Sequence, residues 1–363
     1  MTPYLEWLVY GFAAFLVVLT LLPLSKLRFG IVRGPAFFRL QMFWIALALA
    51  VVALMLPNGV YVAMVLAATA IVQAIYIAKF TPIWVRQSLD VDEALRADDR
   101  RHISLLAANV KKSNRDYDAL VSLVRDQLPD IVMAIEVDDD WISALVKELE
   151  GDYAHWVKVP KDTGYGICVM SRLELSDTTV REIVTEGVPS IRTAVTLRSG
   201  AKVRLYVVHP EPPVIDHDTK GRDSEIAHVG LEAAQDPLPA IVTGDLNDVA
   251  WSTTTRSFQR LSGLLDPRVG RGFYNTFNAF HWWARWPLDH LFHDPQFRLL
   301  GISRLEKIGS DHFPMLFKLA LAELPVQGSD TGVADEAEQE DIEDMIAEEK
   351  RRDRGPIGSD WED

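Results

Sequence analysis

In six places along this chain, side chains able to bind metal ions or move protons stand at the end of a short apolar run. Asn109 follows 105–108, and Glu136 follows 131–135. His209 follows 205–208, while Asp245 and Asn247 come after 241–243. Asp289 stands in Pro287-Leu288-Asp289-His290, and Asp311-His312 directly precedes Phe313-Pro314-Met315. Carboxylate and amide oxygens are hard ligands suited to Mg²⁺ or Mn²⁺. A histidine beside a carboxylate can take or give a proton near neutral pH. Taken singly, an Asn or Asp after a strand is usually a turn former. Repetition with such different side chains is hard to assign to turns. Chemistry at strand ends lets a rigid scaffold hold the groups while loops admit substrate.

The elements that must position these groups begin at residue 102. Strands are expected over 103–110, 130–137, 167–170, 192–197, 203–208, 240–243, 288–292 and 313–320. Helices are expected over 117–128, 140–149, 220–234 and 252–265. Many antiparallel-type strands with a few helices imply an α+β fold, a two-sheet αββα sandwich over 102–322. The single cysteine, Cys168, lies in an apolar stretch and excludes an internal disulfide framework or a cysteine-built zinc site.

Upstream, 7–23, 42–56 and 60–78 are apolar on every face, with Gln73 the one polar group of the third run. A bilayer core of about 30 Å needs roughly 17–25 such residues, so residues 1–80 read as a membrane region of three transmembrane helices. A cleaved signal peptide would want a basic start and a small-residue cleavage site, and residues 1–25 offer neither. The loop 25–41 carries Lys26, Arg28, Arg33 and Arg39, whereas the N-terminus and the tip at Pro57-Asn58-Gly59 carry no Lys or Arg. By the positive-inside rule this multi-pass cell-membrane protein keeps its catalytic domain in the cytoplasm. Phe37-Phe38-Arg39-Leu40 also fits an interfacial segment on either side. Residues 81–101 read as a charged linker. Of the net charge of −14, −11 falls in 323–363, leaving about −3 for the rest. That tail has little apolar content beyond Ile342, Met345, Ile346 and Trp361 and is expected to be an acidic, mostly disordered appendage. It could carry a short helix near 336–352, and could serve solubility or bind a partner.

The ordered motifs resemble the endonuclease/exonuclease/phosphatase superfamily, with the DNase I-like fold, in a membrane-anchored bacterial branch. Asn109, Glu136 in Ala134-Ile135-Glu136, Val207-Val208-His209-Pro210, Gly244-Asp245-Leu246-Asn247, Leu288-Asp289-His290 and Gly309-Ser310-Asp311-His312 match its motifs in order. Gly164-Tyr165-Gly166 with 169–172, and Asn275-Thr276-Phe277, are similar to further family segments. His209-Pro210-Glu211-Pro212-Pro213 fits the membrane-bound branch. The resemblance implies a Mg²⁺- (or Mn²⁺-) dependent phosphoester hydrolase attacking phosphorus in line with water. Glu136 would hold the metal, with Asn109 and Asp311 helping. His209 and Asn247 would bind phosphate oxygens, and Tyr165 and Arg172 would contact substrate. Asp245 would orient water. His312, oriented by Asp289, would serve as base or as the cation facing the pentacovalent state. One departure stands out: some nucleases of the family carry an acid two positions after the first asparagine, where this chain has Lys111.

Duplex nucleic acid favours a basic face, and the chain shows no run of Lys and Arg interleaved with aromatics. The only candidate rim is Arg268, Arg271 and Arg285 near Phe273, Tyr274, Phe277, Trp282, Trp283 and Trp286. Both nucleic acid and phospholipid head groups therefore stay open as substrates, with the lipid bilayer as a partner. From another class, a membrane-tethered, non-catalytic binding scaffold with a hydrolase-like fold is the rival reading. The intact motif set argues against it.

Overall fold

The structure, a computed structural model, describes residues 3–325 and 331–359. It opens with α1 (Pro3–Leu21), the single turn α2 (Gly30–Arg33), and the antiparallel helices α3 (Arg39–Ala53) and α4 (Gly59–Ile77). With their flanking turns, Tyr4–Leu24, Gly30–Ala53 and Gly59–Phe80 are long and apolar enough to cross a membrane. Small side chains let the helices approach, with Ala13, Ala46, Ala63 and Ala70 buried among them. The second helix starts earlier than residue 42 because Arg39 finds partners inside the bundle. Its Nη1 donates to Gln73 Oε1 at 2.9 Å, and its guanidinium lies 3.7 Å from the Tyr76 ring centroid.

After the short α5 (Glu93–Ala97), two sheets stack. The first contains β1 (His102–Asn109), β2 (Ile131–Ile135), β3 (His155–Val159), β4 (Ile167–Ser171), β10 (Phe297–Arg304) and β11 (Met315–Leu321), in the order β10-β11-β1-β2-β4-β3. The second runs in sequence order through β5 (Glu174–Glu182), β6 (Pro189–Thr196), β7 (Lys202–Val207), β8 (Ala240–Asp245) and β9 (Asp289–His293). Alternation along the strands splits their side chains between two faces. Leu105, Ala107 and Met133 of one sheet meet Leu205, Val207 and Ile241 of the other in the central core. The opposite faces are covered by helices. Leu106, Val132 and Cys168 pack under α6 (Tyr117–Gln127) and α7 (Asp139–Leu149). Tyr206 and Val242 pack under α8 (Lys220–Gln235) and α9 (Thr253–Ser262). This is the expected αββα sandwich.

Three strands escaped the sequence pattern: β3, β5 and β10. All three are sheet edges, and β5 is largely exposed, so none carries the two-sided apolar signal of the inner strands.

The short helix allowed near 336–352 is present, and it is docked rather than free. Residues 336–349 form α10 (Glu336–Glu349), whose Ile342 and Ile346 pack against Ala227 and Leu261. Its acidic groups meet a basic surface. Arg28 lies 2.6 Å from Asp341, Lys220 2.8 Å from Glu348, and Arg260 2.5 Å from Glu338. Composition alone missed this because the neutralising cations stand elsewhere in the chain. Residues 326–330 and 360–363, Trp361 included, lie outside the described residues.

The apolar helices and the sandwich are packed together. Trp251, fully buried, donates from Nε1 to Ala36 O at 2.7 Å and meets Phe80 edge-on. Gly30 N donates to His217 O at 2.8 Å, and a Cβ at Gly30 would lie 1.7 Å from Val214 O, so only glycine allows that approach. Trp251→Ala should cost about 3–5 kcal/mol through loss of this contact, seen as a lower Tm of the full chain in detergent. An unchanged Tm would show that the docking is not held there.

Candidate active site

Parallel pairing of β1 with β2 and of β7 with β8 brings four strand ends to one side of the sandwich. Asn109 ends β1, Glu136 follows β2, His209 lies just beyond β7, and Asp245 ends β8. Antiparallel β9 then sets Asp289 opposite Asp245, and the segment before β11 supplies Asp311 and His312. The backbone is bent hard here. Lys111, Glu136 and Asn247 have φ of 59°, 66° and 52°. Non-glycine residues in this left-handed region cost of order 1–3 kcal/mol each and gather where a site must be shaped. Gly244 is required sterically, since a Cβ there would lie 1.9 Å from Val208 O.

The side chains form one polar chain, joined by hydrogen bonds and, between Asp245 and His312, by an ion pair. Asn109 Nδ2 donates to Glu136 Oε1 at 2.6 Å and to Asp245 Oδ2 at 3.1 Å. Asp245 Oδ2 lies 3.5 Å from His312 Nε2, and His312 Nδ1 lies 2.7 Å from Asp289 Oδ2. Thr276 Oγ1 accepts from the amides of Leu288 and Asp289. Asn247 donates from its amide N–H to Asp245 Oδ1 at 2.9 Å and from Nδ2 to Pro210 O at 3.0 Å. His209 is buried, and its Nδ1 has no partner among the described residues. Asp311 Oδ2 lies 3.1 Å from Lys111 Nζ. The residue that departs from the nuclease pattern thus brings its own cation to the site.

These groups face a cavity of about 490 Å³. Glu136, His209, Asp245, Asn247, Asp311, His312 and Tyr165 line it, with Asn109 and Asp289 held behind them. Other lining residues gave no signal of chemistry in the sequence: Phe37, Gly358 and Ser359 come from distant segments. Phe277 also lines the cavity and packs 4.9 Å from the His312 ring.

One expectation about substrate contacts needs revision. Arg172 does not reach the cavity. It follows the far end of β4, where Ser171 pairs with Ile131, whereas Ile167 at the near end pairs with Ile135. Four residues at about 3.3 Å each separate those ends, and the Arg172 guanidinium bonds Leu128 O instead. Tyr165 does line the cavity, but its hydroxyl donates to the Ile357 carbonyl of the tail.

Burial pushes the Glu136 carboxyl up to about 7, with nearby Asp311 and Asp245 adding to the rise against the Asn109 hydrogen bond. Burial lowers His209 to about 4, so it is a neutral imidazole. Burial also opposes charge on His312, but Asp289 and then Asp245 overcome it and hold His312 up at about 10. Asp245, Asp289 and His312 could each offer a ligand atom within 4.8 Å of the others. Yet His312 is a cation with both nitrogens engaged by carboxylates, so this trio is a proton-bearing chain rather than a metal cage. Glu136 and Asp311 are the carboxylates on the cavity wall that could hold a divalent cation. They are hard oxygen donors facing the cavity, and the raised Glu136 value marks a carboxylate short of positive charge.

The fold and site define a class, and sequence comparison agrees. The model of the endonuclease/exonuclease/phosphatase family matches residues 105–312, more than half of the chain. The chain belongs to that family, which includes metal-dependent nucleases and phosphatases. Among solved structures it is similar to an endonuclease/exonuclease/phosphatase from Beutenbergia cavernae DSM 12333, at 19% identity over 62% of this chain and 73% of that one, TM-score 0.51. It is also similar to D. rerio TDP2 complexed with single strand DNA product, at 18% identity over 60% of this chain and 98% of that one, TM-score 0.50. At such identities the likeness is one of fold. No curated protein matches the sequence.

A group whose folded pKa is raised contributes stability that is full below its unfolded value and lost as pH rises through the folded one. For His312 that window runs from 6.5 to about 10. The Tm should fall across it, and the fall should be shallower in Asp289→Asn; parallel curves for the two proteins would contradict the pairing.

Proposed function

We propose that this protein is a membrane-anchored phosphoester hydrolase, most simply a phosphodiesterase, that works with Mg²⁺ or Mn²⁺. The observation that carries the reading is the unbroken chain Glu136–Asn109–Asp245–His312–Asp289 beside one cavity. The three apolar helices support the anchor, and the basic 25–41 loop supports a cytoplasmic domain.

Glu136 and Asp311 would hold the metal, which when bound polarises a phosphoryl oxygen and lowers the cost of the developing charge. Asn109 spans Glu136 and Asp245, so it sets the distance between the metal-holding group and the group that handles water. Asp245 stays ionised beside His312 and His209. It orients water against phosphorus and takes its proton as the new P–O bond forms. His312 enters as imidazolium, faces the pentacovalent oxygens and protonates the departing oxygen as the old P–O bond breaks. Asp289 fixes its ring and tautomer. His209 and Asn247 stand where they can hold the remaining phosphate oxygens.

Asp245→Ala and His312→Ala should each lower kcat on bis-p-nitrophenyl phosphate with Mg²⁺ by about 10²–10⁴-fold, with the fold kept by circular dichroism. Full activity in either variant sinks the assignment. Because Glu136 titrates near 7, Mg²⁺ affinity should weaken by up to about tenfold per pH unit below that value, and this dependence should vanish in Glu136→Gln.

A further inference from the structure

Aromatic side chains form a continuous path from the apolar helices to the catalytic histidine. Phe37 and Phe38, just before α3, lie 6.0 and 5.2 Å from Trp286. Trp286 stacks on Phe277 at 6.1 Å, and Phe277 lies 4.9 Å from His312. Phe37 itself lines the cavity. On the other wall, Pro212 and Pro213 lead from His209 into residues 214–217, whose carbonyls accept from Gly30 N and Ile31 N. Both walls of the cavity therefore rest on the segment joining α1 to α3, where a bilayer surface would lie.

The adjoining loop has the make-up of an interfacial anchor. Phe280, Trp282 and Trp283 are 53%, 81% and 62% exposed, unusual for three large apolar side chains so close together. Gln41 Nε2 donates to Trp283 O at 3.3 Å, which ties this loop to the first turn of α3. Indoles at the end of a membrane helix prefer the head-group layer. Arg285, Arg304 and Lys307 gather 5.0, 4.4 and 5.8 Å from the Phe313 ring beside them, placing cations where lipid phosphates lie. A duplex would have to enter between this rim and the bilayer.

Resting on the proposed hydrolase reading, we propose that the substrate is the phosphoester of a membrane lipid, which enters from the bilayer surface between the 280–283 loop and the 212–217 segment. Its head group would reach Glu136 and His312 while its acyl chains stay in the bilayer. The full chain in nanodiscs should be assayed on sphingomyelin, phosphatidylglycerol and a phosphoinositide, on a single-stranded oligonucleotide, and on soluble bis-p-nitrophenyl phosphate. At least one lipid should be turned over faster than the oligonucleotide. Trp282→Ser with Trp283→Ser should lower lipid turnover by about tenfold or more and leave the soluble ester unchanged. A faster oligonucleotide, no lipid turnover, or lipid turnover indifferent to the tryptophans overturns the proposal. Absence of Asp245-dependent hydrolysis of the soluble ester would instead overturn the hydrolase reading itself.

A second inference rests on different contacts. Beyond α10, Arg354 clamps Glu211 with two hydrogen bonds, 2.6 and 2.7 Å, and Ile357 N donates to Glu211 Oε1 at 2.9 Å. Ile357 O takes the Tyr165 hydroxyl, and Gly358 and Ser359 line the cavity. We infer that residues 354–359 are an autoinhibitory strap across the mouth. Charge holds it, so Arg354→Ala should raise kcat/KM on the soluble ester several-fold, as should Lys220→Ala with Arg352→Ala, which loosens α10 through exposed ion pairs. Unchanged or lower activity in both, at wild-type Tm, would show that the strap does not restrain the site.

Discussion

One carboxamide ties the two halves of the sandwich together at the site. Asn109 belongs to the first sheet and touches Glu136 beside it, but its second bond crosses to Asp245 in the other sheet. Both acceptors are carboxylates that burial makes expensive to charge, and a neutral donor between them lowers that cost without adding a cation that would compete for substrate. The bond forms only if β1 and β8 end at the same level. The inter-sheet core of Leu105, Ala107, Val207 and Ile241 sets that level. Packing therefore decides whether the polar chain closes, and each link downstream depends on this first one.

From Asp245 onward the chain alternates in sign. Asp245 and Asp289 flank His312, so the imidazole stays charged despite complete burial. His209 lies in similar depth but lacks a carboxylate at hydrogen-bonding distance, and it stays neutral. Two histidines at one cavity thus differ in charge because one has partners and the other does not. Lys111 completes the pattern on the opposite side by covering Asp311.

The inner strands and the residues at their ends were legible in the sequence because burial on both faces leaves unbroken apolar runs. The edge strands β3 and β5 were not, since one side meets solvent or only partial cover and the pattern dissolves. Among the site residues, those on strand ends could be placed from their motifs, while Arg172 could not. Motif proximity to Gly164-Tyr165-Gly166 said nothing about which end of β4 it would occupy. Phe37 and Ser359 were invisible for a different reason. They line the cavity from segments remote in the chain from the strand ends, outside any motif.

The tail shows how a charge count can mislead when its partners are out of view. With fifteen acidic residues and little apolar content, 323–363 read as mostly disordered, yet α10 faces Arg28, Lys220 and Arg260 from three separate segments. Exposed pairs of this kind contribute about 0–1 kcal/mol each, so the apolar contacts of Ile342, Met345 and Ile346 must supply much of the holding force. Ion pairs then fix register more than strength. Glu349 and Glu211, both buried, share Arg354, with Arg352 also on Glu349, so one guanidinium joins the end of the helix to the motif after His209. Moving the helix with Arg354 would leave buried Glu211 without its cation, and that penalty couples the position of the tail to the shape of the cavity wall.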